Sequence, residues 1–305
     1  MASASPPPPA YAATGPFHRA LVLANPISGR GKAARAAHEL SEGLNRMGIP
    51  AEVYLTQARR DGVRLLRELD DDTDLVCAVG GDGTLREVLE GLRDPGIAVA
   101  SIPFGTANVV ANELGLPRDV HHALEIVAGQ RARALDVASV NGKLSIFVTG
   151  VGLDALTVQE MERRRRGPIR KSSYVGAFYH ALRSYRPPRL RVAVDGEELD
   201  AEYGLVIVSN TVGYGGVLRL SQDARLDDGQ LEVYLFRTGS LPEVVRGFAR
   251  GLVGKLPGGP VAMRRARRVE VRSDEEVPFQ VDGDFGGTTP VEVEVATTQY
   301  RILAP

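Results

Sequence analysis

The chain has 305 residues, of which 43% are apolar and 25% charged, and its formal net charge is -1. That length holds about two domains with a sizeable core, and the even charge balance gives no general attraction for nucleic acid, so any anion-binding surface must be local. The single cysteine, Cys77, lies in an apolar run, which excludes a disulfide or a cysteine zinc site and fits a reducing cytoplasm, and no apolar run reaches the roughly 20 residues that span a bilayer.

Residues 1–16 are rich in Pro, Ala and Ser and lack the basic and apolar regions of a signal peptide. They read as a disordered leader. Ordered structure is expected from Phe17. Ala20–Ala24 is a short buried strand that ends in Asn25-Pro26-Ile27-Ser28-Gly29-Arg30-Gly31. A helix is predicted over Lys32–Met47 from apolar residues spaced three and four apart (Ala33, Ala36, Ala37, Leu40, Leu44), with Gly48 closing it. Ala51–Leu55 is a strand ending at Thr56, and Val63–Leu69 a helix. The apolar run Leu75–Val79 enters Gly80-Gly81-Asp82-Gly83-Thr84, and a helical pattern from Leu85 to Leu92 leaves it. A strand, a glycine turn and a helix make a phosphate cradle, because helix N–H groups and the helix dipole face the turn. An acid in that cradle, Asp82, fits a nucleotide accompanied by Mg²⁺ or by a hydrogen-bond network. A plain tight turn remains the alternative for this motif alone. Strand 96–102 then runs into Pro103-Phe104-Gly105-Thr106-Ala107-Asn108, followed by helices over 109–114 and 119–128.

Strand and helix alternate throughout this half, which predicts a parallel sheet with helices on both faces. The loops at 25–31, 56, 80–84 and 103–108 should gather at the carboxyl edge of that sheet, where such folds bind ligands. Beyond about residue 131 the pattern changes. Strands are predicted over 133–140, 144–149, 190–194, 203–209, 231–237 and 268–271, with turns at Asn141-Gly142, Asp195-Gly196 and Asp228-Gly229. Two helical stretches interrupt them: 154–185, split near Gly167-Pro168, and 241–254. This half reads as an antiparallel β-sandwich or open barrel.

Six motifs in order resemble the diacylglycerol kinase catalytic family, in its bacterial lipid kinase branch, similar to sphingosine and ceramide kinases. They are Asn25–Gly29, Gly80–Leu85, Pro103–Asn108, Gly150–Ala155, Leu226–Gly229 and Gln280–Asp284. The resemblance covers the chain from Phe17 to its end. It implies an α/β nucleotide domain similar to those of phosphofructokinase and NAD kinase (17–131), a β-rich lipid domain (132–294), a last strand returning to the first domain (295–305), and an active site in the cleft between the domains. It implies ATP contacts at Asn25, Pro26, Ser28, Gly29, Thr56, Gly80, Gly81, Asp82, Gly83, Thr84, Leu85, Arg86, Thr106 and Asn108. It implies Mg²⁺ at a loop around Arg225, Asp228 and Gln230, held by carbonyls and one carboxylate, with Asp82 as a further metal-orienting acid. The family's proton acceptor falls on Asp284, where most members carry Glu, and Asp282 is a second candidate. The chain also departs at Val109, where many members carry Asp.

The expected activity is ATP- and Mg²⁺-dependent phosphorylation of a hydroxyl on diacylglycerol or a related lipid, by a cytoplasmic protein peripheral to the membrane during turnover. Two alternatives stay open: an NAD kinase, which shares the Gly-Gly-Asp-Gly-Thr turn, and a nucleotide- or lipid-binding regulator without catalysis. Arg163–Arg166 with Arg170 and Lys171 form a basic cluster that either docks on an anionic leaflet or is a solvated charged loop. Asp282-Gly283 taken alone is a hairpin turn. The five histidines lack zinc-enzyme spacing, and serine-hydrolase, Walker and dehydrogenase glycine motifs are absent. The oligomeric state, a homodimer included, is left open.

Overall fold

Apolar strands buried on both faces and helices with one apolar stripe dictate the first half of the molecule. The computed structural model describes residues 11–164, 171–214, 218–219, 224–237, 241–252 and 256–305. The chain divides into two units, one comprising residues up to Leu135 together with Thr298–Pro305, the other Asp136–Thr297.

The first unit runs β1 (Tyr11–Ala13), β2 (Ala20–Ala24), α1 (Lys32–Arg46), β3 (Ala51–Leu55), α2 (Asp61–Arg67), β4 (Leu75–Gly80), α3 (Asp82–Gly91), β5 (Ala98–Pro103), α4 (Val109–Glu113), α5 (Val120–Gly129) and the start of β6 (Arg131–Val140). The parallel strands lie in the order β3-β2-β4-β5. Ala20, Val22 and Ala24 of β2 pack with Ala33, Ala36, Leu40 and Leu44 of α1 and with Val120, Ala123 and Val127 of α5. Leu21 and Leu23 face the other way and are equally buried. On that side α2 and α3 press together, so closely that a side-chain carbon at Gly91 would lie 2.7 Å from Leu66. The predicted helix 32–47 stops at Arg46, and Gly48 takes the left-handed conformation (φ 82°) that closes it.

The leader requires correction. Tyr11–Ala13 is not disordered but pairs antiparallel with Arg131–Arg133 of β6. The β6 edge leaves N–H and C=O groups that a Pro-poor tripeptide can satisfy, a signal that composition does not carry.

The second unit continues with β7 (Lys143–Ser145), β8 (Val148–Val151), α6 (Leu153–Arg164), α7 (Lys171–Ser184), β9 (Arg191–Val194), β10 (Glu197–Glu198), β11 (Tyr203–Ser209), β12 (Gly213–Tyr214), β13 (Leu218–Arg219), β14 (Leu231–Arg237), α8 (Leu241–Leu252), β15 (Val261–Ala266), β16 (Arg268–Arg272), β17 (Pro278–Val281), β18 (Asp284–Thr288) and β19 (Val291–Leu303). One antiparallel sheet has the order β15-β14-β11-β8-β17-β18. A second is built by β10, β9, β16 and the first half of β19. Val206, Val208, Val233, Phe279 and Val281 from the first sheet meet Val192, Val269, Val271, Val291 and Val293 from the second in one core. Of the sandwich and the open barrel that the strand and turn pattern left open, this is the sandwich. Asn141-Gly142 and Asp195-Gly196 hold paired positive φ angles (48° and 79°, 49° and 88°) between adjacent strands, as two-residue hairpin turns demand.

The last strand leaves this unit and pairs parallel with β5 through Arg301 and Ile302. The predicted strand 144–149 is broken into β7 and β8. The N–H groups of Ile146, Phe147 and Val148 turn to a carboxylate, that of Asp282, at 2.8, 3.1 and 3.0 Å. The predicted split at Gly167-Pro168, and Arg165, Arg166 and Arg170 of the basic cluster, lie outside the described residues. Among the described residues no helix is long and apolar enough to cross a membrane.

Candidate functional site

Register places the loops of the first unit. Ala24 of β2 stands beside Leu55 of β3 and Val79 of β4, and Gly80 stands beside Pro103 of β5. The four following loops therefore start at one level, at the carboxyl edge of the sheet. They are also bonded to one another: Asn25 N donates to Val79 O (3.1 Å), Thr56 N to Ala24 O (2.9 Å) and Phe104 N to Gly80 O (2.6 Å).

Two of these loops meet backbone to backbone. A side-chain carbon built on Gly105 would lie 2.6 Å from Gly81 Cα and 2.6 Å from Asn108 Oδ1, and one on Gly81 would lie 3.0 Å from Gly105 Cα. Only glycine fits on both sides of that contact. Asn108 takes φ 49° and donates from Nδ2 to Gly105 O at 2.9 Å, while its buried Oδ1 has no hydrogen-bond partner. The Phe104 ring lies against Gly29, where a side-chain carbon would come within 2.7 Å of it. The first loop is a turn in which Asn25 Oδ1 accepts from Ile27 N at 3.2 Å and Asn25 O accepts from Ser28 N at 3.0 Å.

The helices that leave these loops begin in a particular way. The N-caps of α1 and α3 are Gly31 and Gly81, which have no side chain to cap the first N–H groups. At other helix starts the same task is done by carboxylates: Asp119 accepts from His122 N at the start of α5 (3.0 Å), and at α2, which leaves the Thr56 loop, Glu87 accepts from Arg60 N and Gly62 N (2.9 and 3.2 Å). The glycine loops thus leave helix-start donors and dipole available to an anion. Asp82 is the first residue of α3, and its Oδ1 accepts from Val110 N at 3.4 Å. Thr106 and Gly83 are exposed, and Arg86 is half-buried. Thr84 is buried with its hydroxyl against Gly80, and Leu85 is part of the core; their N–H groups both donate to Gly81 O (2.9 and 3.1 Å), so these two shape the turn, and the donors left at its start are those of Asp82 and Gly83. Pro26, Ser28 and Gly29 are half-buried along the rim.

In the second unit Asp282 and Gly283 form the turn between β17 and β18, with φ 51° and 82°. The Asp282 carboxylate accepts from Ser145 Oγ (3.0 Å) as well as from the three N–H groups between β7 and β8. Asp284 is the first residue of β18 and is half-buried.

The loop around Arg225, Asp228 and Gln230 is braced from several directions. Arg225 Nε pairs with Asp227 Oδ1 at 3.0 Å, and Gln230 N donates to Asp228 Oδ1 at 3.1 Å. Asp136 accepts from Gly229 N on Oδ2 (2.6 Å) and donates its own N–H to Leu226 O (2.6 Å). Burial holds the Asp228 carboxyl above its ordinary range, with the Asp136 charge adding to it. Among the described residues no group of three or more His, Cys, Asp or Glu side chains is placed to hold a metal by itself. A metal at this loop would need main-chain oxygens.

Asp136 and Glu232 are polar residues of this region that motif reading passes over. Glu232 is 0% exposed, lies 3.4 Å from Arg265 and is pushed up to about 7, chiefly by burial. The signal for both was an acid inside an apolar strand, Leu135-Asp136-Val137 and Leu231-Glu232-Val233. A cavity of about 400 Å³ lies at the opposite, amino edge of the parallel sheet, lined by Leu66, Asp70, Asp71, Asp74 and Asp94 among others. Its acidic rim repels a triphosphate, so it does not compete with the glycine loops.

Known proteins match most of the chain. The family described as "Diacylglycerol kinase catalytic domain" matches residues 19–140. The family described as "YegS C-terminal NAD kinase beta sandwich-like domain" matches residues 147–304. The chain is similar to the diacylglycerol kinase of Mycobacterium tuberculosis, 30% identical over 93% of this chain and 94% of that protein. It is also similar to that of Bacillus subtilis (strain 168), 29% identical over 94% and 96%. A crystal structure of a diacylglycerol kinase from Bacillus anthracis shares its fold, with a TM-score of 0.73 and 20% identity over 95% and 97% of the two chains. With both halves matched in order, the chain belongs to the diacylglycerol kinase catalytic-domain family of lipid kinases.

Proposed function

We propose that the protein transfers the γ-phosphate of ATP to a hydroxyl of diacylglycerol or a related lipid, with Mg²⁺. The observation that carries the reading is the meeting of the glycine loops at one sheet edge, where Gly81 and Gly105 touch and helix-start donors are left to an anion. The relatives' names favour a lipid acceptor over NAD.

In this reading residues 25–29, Thr56, 80–86 and 103–108 hold the nucleotide. Backbone N–H groups take the phosphates, and Thr106 supplies an exposed hydroxyl. The lipid oxygen forms a bond to the γ-phosphorus as the bond to the β–γ bridging oxygen breaks and ADP leaves, and Asp284 accepts the hydroxyl proton. Asp282 already accepts four hydrogen bonds, which makes it the brace of the turn rather than the base. Mg²⁺ suits the 225–230 loop by donor type: Asp228 is a carboxylate raised by burial, which a cation would relieve, and the main-chain carbonyls are hard oxygens. Bound there, it would supply positive charge and order to the loop, while Asp82 stands beside the phosphates. Lipid presented at a membrane surface requires the protein to work peripherally; Arg163, Arg164 and Lys171 are the described members of the basic cluster, and the two arginines also pair with Glu160.

The test is transfer of labelled γ-phosphate from ATP to a panel of diacylglycerol, phosphatidylglycerol, sphingosine, ceramide and NAD. Label in a lipid is expected. Label in NAD alone would move the activity to the nucleotide substrate, and ATP binding with no transfer to any acceptor would make the protein a non-catalytic binder.

A further inference from the structure

The hairpin that carries Asp284 is held from inside the second unit by two buried polar side chains. Gln280 is 1% exposed and Asp154 6%. Gln280 Oε1 accepts from Gly283 N at 2.7 Å, and Gln280 Nε2 donates to Asp154 Oδ2 at 2.7 Å. Gly283 is the second residue of the turn and the neighbour of Asp284. A two-residue hairpin turn gives that N–H no partner across the ladder, so the Gln280 amide oxygen supplies one. With its oxygen committed to a donor, the amide has one orientation, and its NH₂ must face an acceptor. Asp154 provides it from the first turn of α6, where the helix dipole favours a carboxylate. Strand β8 leaves room for that carboxylate because residue 150 is glycine: a side-chain carbon there would lie 1.8 Å from Asp154 Oδ2.

A buried polar pair of this kind is a weak source of stability, since apolar replacements of similar shape are often neutral. What it does supply is a fixed position. We propose that Asp154 and Gln280 are positioning residues for the phosphoryl transfer, setting the turn through Gly283 so that Asp284 starts β18 in one place. The proposal rests on the reading of Asp284 as the proton acceptor. Neither residue is asked to touch substrate. Placement matters because a displacement of about 1 Å in a reacting group can slow a reaction by roughly 100-fold.

The experiment measures kcat and KM with ATP and diacylglycerol in mixed vesicles, alongside a thermal melt. The variants are Gln280→Met, Asp154→Asn, Asp284→Asn and the Gln280→Met/Asp284→Asn double. Gln280→Met should melt cooperatively and lose about 10- to 100-fold in kcat, with KM for ATP within about 2-fold. Asp154→Asn keeps an acceptor oxygen for Gln280 and should stay within about 3-fold of wild type. The double variant should be no slower than Asp284→Asn alone, because the positioning residue acts only through the group it positions. A folded Gln280→Met with wild-type kcat, or losses that multiply in the double variant, would overturn the inference and leave the base in place. Wild-type turnover by Asp284→Asn would remove the base itself, and the inference with it. Should Gln280→Met fail to fold, Gln280→Asn, one methylene too short to bridge both partners, carries the same comparison.

Discussion

Gly83→Ala separates what the glycine loop needs for folding from what it needs for a ligand. Gly83 is the second residue of α3, exposed, and a side-chain carbon there meets nothing within 4 Å. Within the protein the added methyl is therefore free, and replacing glycine by alanine in a helix stabilises it by about 0.5–1 kcal/mol. For a chain of this size that raises Tm by about 1–3 °C. A triphosphate lying on the start of α3 would meet the methyl, and ATP affinity should fall by at least about 10-fold, roughly 1.4 kcal/mol. Gly105→Ala is the contrast. Its methyl would lie 2.6 Å from Gly81 Cα and would have to move out to at least 3.4 Å. Such overpacking costs about 1–3 kcal/mol, so stability and ATP binding should fall together. Differential scanning fluorimetry and titration calorimetry with ATP read both quantities. Unchanged ATP affinity for Gly83→Ala would refute the placement of the nucleotide at this turn, and a lowered Tm would refute the free space around Gly83.

Three further outcomes are expected. Asp282→Ala removes the acceptor of four hydrogen bonds between β7, β8 and the hairpin, and unfolding in urea should show a loss of about 2–3 kcal/mol; a loss below about 0.5 kcal/mol would mean the brace is idle. Asp154 is pushed up to about 7 from 3.8 by burial. The folded protein thus binds more protons than the unfolded chain between those values, and stability falls as pH rises through that window. Glu232, pushed up to about 7 from 4.5, adds to the same slope. Asp154→Asn should remove as much as about 4 kcal/mol of this decline, so its advantage over wild type should be larger at pH 8 than at pH 5. An equal difference at both pH values would show that Asp154 does not titrate there. Cys77 is buried and its thiol is pushed up to about 12, so it should resist alkylation in native buffer and react fully in denaturant. Fast labelling of the native protein would contradict its burial.

Much of the first unit could be read from the sequence because its strands are apolar on both faces and its helices carry a single stripe. Asn25–Gly29, Gly80–Thr84 and Pro103–Asn108 stand where strand–turn–helix patterning puts them. What the patterning does not carry is the contact between Gly81 and Gly105, which depends on neighbouring strands in register. In the second unit β15, β17 and β18 escaped notice, since Met263-Arg264-Arg265 and Phe285-Gly286-Gly287 lack the β-branched alternation that marks a strand. The long β19 is legible only in part, because its outward positions are Glu and Thr and its two ends serve different partners, Val291–Glu294 pairing with β16 and Arg301 and Ile302 with β5. The roles of Asp282 and Gln280 were hidden for a related reason. Their partners are Ser145–Val148 and Asp154, more than 120 positions away along the chain.

The most direct test of the central claim is the transfer of labelled γ-phosphate from ATP to diacylglycerol, measured for the wild type and Asp284→Asn side by side. The account predicts labelled lipid with the wild-type protein, and a loss of about 100-fold or more in the variant at unchanged ATP affinity. Equal transfer by both proteins would contradict the assignment of the base, and no transfer by the wild type to any lipid would contradict the proposed reaction.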